Sequence, residues 1–110
     1  MNVNFNGFGE NVATFMADSK VVAGAPVKMS TDGTVTISSA TEPFCGICLA
    51  VRDGYASVQL KGYVTMPAKS KIAVGYQKLT ASVENAVAVN TSGREFLVLN
   101  STDTEVGFIL

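Results

Sequence analysis

Between residues 57 and 66, apolar and polar side chains alternate. Val58, Leu60, Val64 and Met66 fall on one face, with Gly62 among them, and Ser57, Gln59, Lys61, Tyr63 and Thr65 on the other. A period of two suits a half-buried strand, because successive side chains point to opposite faces of a sheet. Residues 44–51 (Phe-Cys-Gly-Ile-Cys-Leu-Ala-Val) form an unbroken apolar run and predict a central strand covered on both faces. Arg52-Asp53-Gly54 separates the two runs, and Asp-Gly in that position predicts a hairpin.

The remaining pattern reads as further strands and turns. Residues 21–29 are apolar with a break at Gly24-Ala25-Pro26, where proline predicts an edge or a bulge because it cannot donate to a ladder. Thr31-Asp32-Gly33 predicts a turn, followed by an alternating strand with Val35 and Ile37 inward. Residues 38–43 and 67–71 read as loops. Residues 72–80 repeat the broken-strand theme around Gly75, and residues 81–85 turn the chain. Residues 86–89, 95–99 and 105–110 read as the last strands. The expected class is all-β, a small barrel or sandwich of short, mostly antiparallel strands.

A weak internal echo accompanies this pattern. Gly24 to Met29, a turn, then Val35-Thr36-Ile37 lead to Cys45-Gly46-Ile47-Cys48-Leu49. Gly75 to Leu79, a turn, then Val87-Ala88-Val89 lead to Val106-Gly107-Phe108-Ile109-Leu110. Two similar β halves would produce this echo, and so would coincidence in a valine-rich chain.

Residues 1–20 differ from the rest and are expected to form an irregular arm or lid on a single domain spanning 21–110. Phe8, Val12, Phe15 and Met16 fit the spacing of a short helical turn. Two roles stay open: a lid on the segment's own barrel, or an apolar arm reaching a neighbouring molecule through Phe5, Phe8 and Phe15.

Composition sharpens the choice of role. Only 15% of the 110 residues are charged, against roughly 25% in typical soluble domains. A Ser/Thr/Asn-rich surface accounts for part of that, and surface concealed between subunits would account for more. The net charge of -1 carries no basic stripe, so nucleic-acid binding is not expected. No apolar run approaches the roughly 20 residues of a membrane helix, and the N-terminus lacks the basic and apolar segments of a secretory signal.

Candidate chemistry is sparse. Cys45 and Cys48 have the C-x-x-C spacing, but the chain has no histidine and no other cysteine to complete a zinc site. On one extended strand they would lie about 10 Å apart on opposite faces, too far for a disulfide, so both thiols are expected to be free. The carboxylates fall mostly in predicted turns, and no nucleophile elbow, phosphate loop or dinucleotide fingerprint is present. The expectation is a protein that is not an enzyme and has no catalytic residue, cofactor or metal. Tyr55, Tyr63 and Tyr76 are candidates for stacking on sugars, which keeps a carbohydrate-binding or adhesive module as an alternative, beside a small enzyme.

The order of motifs resembles a known family. A G-A-P-V-K strand is followed by D-G-T-V-T-I, F-C-G-I-C-L-A, A-S-V-Q-L-K-G-Y-V-T-M, I-A-V-G and a closing E-V-G-F-I-L. Over residues 21–110 this is similar to the small capsid-decoration (head auxiliary) proteins of tailed phages and prophages. Tyr76 departs from the pattern, which has an acidic residue after that glycine. The resemblance implies a compact β-barrel-like domain, a homotrimer on the outer surface of a phage head, with the major capsid protein as partner. It also implies synthesis in the bacterial cytoplasm and a final place on the virion surface.

Overall fold

The structure, a computed structural model, describes residues 11–110. The chain is all-β. The described residues form ten strands in order: β1 (Asn11–Ala17), β2 (Pro26–Thr31), β3 (Thr34–Ile37), β4 (Gly46–Arg52), β5 (Tyr55–Lys61), β6 (Tyr63–Pro67), β7 (Gly75–Ala81), β8 (Val87–Val89), β9 (Arg94–Ser101) and β10 (Glu105–Ile109). A 3-10 turn, Val83–Asn85, joins β7 to β8. The first five strands close into a barrel in the order β1-β3-β2-β4-β5, and the last five form a sheet in the order β6-β10-β9-β7-β8.

The predicted turns form where the residues demand them. The β4–β5 hairpin turns on Asp53 and Gly54, both at positive φ (51° and 80°), the signature of a type I′ turn. Asp32-Gly33 also joins β2 to β3, there with Gly33 alone at positive φ (69°). The alternating run at 57–66, however, is two strands. Gly62, at φ 103°, breaks it, so β5 stays in the barrel and β6 enters the second sheet. Only glycine adopts such a φ without steric cost.

Residues 11–17 are a strand where a helical turn was expected. Val12, Thr14 and Met16 face outward, and Ala13, Phe15 and Ala17 are half-buried. Antiparallel pairing with β5 (Ala13↔Val58, Phe15↔Ala56) satisfies the backbone, whereas a short helix without partners is marginal. Through a parallel pairing with β3, Ala17↔Val35, β1 also closes the barrel, so the folded unit begins before residue 21. The central run is also only partly covered: Gly46, Ile47 and Cys48 are buried, but Leu49 to Arg52 are exposed as the hairpin extends beyond β2.

The two β halves share one plan. β3-β2-β4-β5 with β1 beside β5 matches β8-β7-β9-β10 with β6 beside β10. A parallel bridge, Ala68↔Val87, links the β6 end to β8 as β1 links to β3. The bulges correspond as well. Cys48↔Val58 is followed by Ala50↔Ser57, and Val98↔Phe108 by Asn100↔Gly107, so Leu49 and Leu99 are skipped at equivalent places. The equivalent of β4 is therefore β9; the echo between residues 45–49 and 106–110 was one strand out of step.

Each half has its own core. Val21, Val27, Val35, Cys48, Ala56 and Val58 fill the barrel, with Phe15 and Leu60 packed against them. The second core is larger and includes Leu79, Val98, Phe96 and Phe108. Phe44 belongs to it too, although its chain segment leads into the barrel. The segment between β3 and β4 crosses over: Thr41 N–H donates to Ala81 O and Ala81 N–H to Glu42 O, each at 2.9 Å. Glu42 fixes the turn of this segment, accepting from Lys28 Nζ at 2.8 Å and from Ser39 N–H at 2.7 Å. Those bonds, Lys28 first, hold its carboxyl below the ordinary value of 4.5. A depressed folded-state pKa contributes stability above the unfolded value that is lost as pH falls through the folded one. Thermal melts should therefore show Glu42→Gln losing less stability than the parent between about pH 5 and 3. Equal losses in both proteins would show that the Glu42 bonds do not hold in solution.

Candidate functional site

Two concave surfaces flank the barrel's β4–β5 hairpin. The first is a groove of about 580 Å³ between the barrel and the second sheet. Ala23, Gly24, Ile47, Cys48, Leu49 and Gln59 line one wall, and residues 63–67 with Asn85 line the other. None of the described residues that line it is charged.

Gln59 is the polar centre of this groove. Alternation puts it on a polar face, yet it is only 5% exposed. Its Nε2 donates to Lys61 O at 3.0 Å and to Tyr63 O at 3.3 Å, clamping the chain on both sides of Gly62. Both amide protons are spent on the backbone that switches sheets. No described donor reaches its Oε1, and no described side-chain oxygen is both sealed from solvent and without a partner. The Oε1 therefore keeps some contact with solvent.

The opposite wall offers a strand edge. Leu110 N–H donates to Gly62 O, and Ala68 N–H donates to Thr104 O, both at 2.9 Å. In an antiparallel ladder alternate residues exchange the bonds, so Val64 and Met66 face β10 while the Thr65 N–H and C=O point the other way. Among the described residues, no strand pairs with β6 on that side except through Ala68. Pro67, without an N–H, ends the edge.

The second hollow lies at the hairpin tip, lined by Thr14, Ala50, Val51, Arg52, Asp53, Tyr55 and Ser57. Tyr55 is 52% exposed, and its cross-strand neighbours are Arg52 and Met16. Ser57 is flanked by Ala50 and Thr14. A ring, two charges and two hydroxyls can hold a polyhydroxylated ligand by stacking and hydrogen bonds. The three tyrosines are not gathered: Tyr55 lines this hollow, Tyr63 the groove, and Tyr76 neither. The Tyr63 hydroxyl instead accepts from Asn100 Nδ2 at 3.1 Å.

Beside the hollow, β1, β4 and β5 expose Val12, Met16, Leu49, Val51 and Tyr55. Their only charged residues are Arg52 and Lys61. Of the arm residues singled out from the sequence, Phe15 packs against its own barrel core; Phe5 and Phe8 lie outside the described residues.

Titratable groups do not converge. Asp18, Glu42 and Glu84 are all shifted down, chiefly by hydrogen bonds from Thr36, Lys28 and Lys69 respectively. The groove holds no carboxylate and the hairpin-tip hollow holds Asp53 alone. Among the described residues no cluster of three or more His, Cys, Asp or Glu could hold a metal ion. No described helix is long and apolar enough to cross a membrane. Cys45 and Cys48 are free thiols, half-buried and buried respectively. Cys45 lies just outside β4, and desolvation pushes both thiols above their ordinary value. Alkylation at neutral pH should therefore be slow in the native protein and reach two groups per chain in denaturant. Fast native labelling of Cys48 would show that the barrel opens there.

No protein-family model matches the chain, and no curated protein matches it.

Proposed function

We propose that the chain is a non-enzymatic structural protein that assembles with itself and coats a larger protein surface, in the manner of a capsid decoration protein on a phage or prophage head. The observation that carries this reading is the charge-poor outer face of β1 and β5, where exposed Met16 and Tyr55 pair side by side and exposed Val12 shares the outward parity of Met16. Clustered exposed apolar side chains favour burial against another protein. A trimer would match three-fold positions of a capsid lattice, and the resemblance over residues 21–110 supplies the major capsid protein as partner and the virion surface as location. Phe5 and Phe8 remain the arm's proposed anchors, since desolvated aromatics dominate interface energies.

Light scattering of the purified protein and co-sedimentation with phage heads test the reading. A homotrimer that sediments with heads is expected. A monomer that ignores heads at high micromolar concentration overturns it. Deletions probing the arm must stop before Asn11, because β1 is a stave of the barrel. A second reading, glycan binding, is favoured by the Tyr55 hollow; binding on a glycan array that Tyr55→Ala abolishes would establish it.

A further inference from the structure

We infer that the outer face of the second sheet docks onto strand β1 of a second copy of this chain, so that the contact joining the two halves is repeated between chains. The inference rests on the self-assembly proposed above and names the two surfaces that meet.

Strand register defines the first surface. Tyr76, Leu97, Ile109 and Tyr63 are cross-strand partners in turn, so they form one row over β7, β9, β10 and β6. The barrel carries the equivalent row, Pro26, Ile47, Gln59 and Val12, over β2, β4, β5 and β1. Ile47 and its neighbour Cys48 point to opposite faces of β4, and Cys48 fills the barrel core. Ile47 is nonetheless only 4% exposed, because it belongs to the second core together with Val64 and Met66 of β6. The barrel's row is thus the face that meets the other half. In the second sheet the same row is open: Tyr76 is 68% exposed, and Leu97 and Ile109 are half-buried.

The second surface follows from the same correspondence. Ala13, Phe15 and Met16 pair with β5 where Val64, Met66 and Pro67 pair with β10. On β6, Val64 and Met66 are buried in the core that holds Ile47, and Pro67 lines the groove beside it. On β1, Ala13 and Phe15 are only half-buried, and Met16 is 55% exposed. Each chain therefore carries one unused copy of both junction surfaces, the row on its second sheet and β1 on its barrel.

These surfaces suit each other. Neither the row nor β1 contains a charged residue, so their contact buries apolar area and strands no ion. Tyr76 and Met16 both stay exposed within one chain, so the pair is joined between chains. A short turn at residues 90–93 replaces the 38–45 crossover, and no ring corresponds to Phe44; Tyr76, in the place of Pro26, supplies aromatic surface instead. A contact between unlike surfaces closes into a ring or runs on as a fibre, and a homotrimer is such a ring.

The test uses the full chain and analytical ultracentrifugation. Tyr76→Lys and Met16→Lys each charge one surface at an exposed position, and each should raise the concentration needed for assembly at least tenfold while melting within a few degrees of the parent. Val89→Lys, exposed on β8 outside both surfaces, should leave assembly unchanged. Mixing the two assembly-defective variants is the deciding arm. The Met16→Lys chain keeps an intact row and the Tyr76→Lys chain an intact β1, so the mixture should form a one-to-one dimer that neither forms alone. Tyr76→Ser and Met16→Thr repeat every arm without a new charge should a lysine variant fail to fold. Assembly that survives either substitution, or a mixture that stays monomeric, overturns the pairing of these surfaces and leaves self-assembly standing. A parent chain that is monomeric at high micromolar concentration overturns both.

Discussion

Phe44→Ala is expected to destabilise the protein by about 3–5 kcal/mol, the cost of removing a fully buried phenylalanine. A shift of roughly 4–8 °C accompanies each kcal/mol in domains near this size, so the melting temperature should fall by well over 10 °C. The side chain is 3% exposed. Its ring stacks on Phe96 at 5.2 Å and meets Phe108 edge-on at 6.2 Å, while Phe96 and Phe108 touch each other at 5.2 Å. The Arg94 guanidinium lies over the Phe96 ring, 4.7 Å from its centroid. Because Phe44 reaches this cluster from the barrel's own chain segment, its loss also weakens the contact between halves. Calorimetry should show either one transition at much lower temperature or two transitions where the parent shows one. Phe44→Leu, which keeps most of the apolar volume, should recover a large part of the loss. A Phe44→Ala melt within a few degrees of the parent would mean that the triad of rings is not packed in solution.

How far the sequence could be read depended on which periodicities were local. Asp32-Gly33 and Asp53-Gly54 specify their turns through their own backbone preferences, so two hairpins and much of the strand order were legible. The strand character of residues 11–17 was hidden because Phe15 and Met16 fit a helical spacing as well as an alternating one, and the deciding partner, Ala56, lies far along the chain. Alternation from Ser57 to Met66 suggested one strand because side-chain parity runs through Gly62; that glycine was the only local sign of a switch between sheets. The groove escaped for the same reason. Gln59 reads as a surface residue by parity, and its burial follows from how the two halves meet. Phe44 was read as part of the central strand, whereas it precedes β4 and packs in the second core; a loop that crosses between halves leaves no periodic trace. The duplicated plan is likewise a matter of strand order and equivalent bulges, with few shared identities to carry it in the sequence.

The duplication also explains why one buried position in the barrel tolerates nothing larger than glycine. Gly46 of β4 stands where Phe96 stands in β9: Gly46 pairs with Val27, and Phe96 with Gln77. The second half accommodates a phenylalanine there and builds its core on rings. The barrel's core consists of valine, alanine and cysteine, and a Cβ on Gly46 would lie 2.5 Å from Gln59 O, 2.7 Å from Val58 Cγ1 and 3.2 Å from Leu60 Cδ2. Val58 could in principle rotate, but Gln59 O is backbone in a strand that β1 and β4 hold from both sides. Gly46→Ala should therefore cost at least the 1–3 kcal/mol typical of overpacking, because β5 must move away from β4. That movement would shift the Gln59 clamp and the groove with it. Denaturant unfolding should place the midpoint well below that of the parent. The double variant Gly46→Ala/Val58→Ala should recover little, since the carbonyl clash persists. Full recovery on trimming Val58 would identify that side chain, and not the backbone of β5, as the wall that keeps position 46 a glycine. Gly54→Asn offers the contrast: no atom lies within 4 Å of its Cβ position, and asparagine tolerates positive φ in a turn. It should unfold within about 1 kcal/mol of the parent.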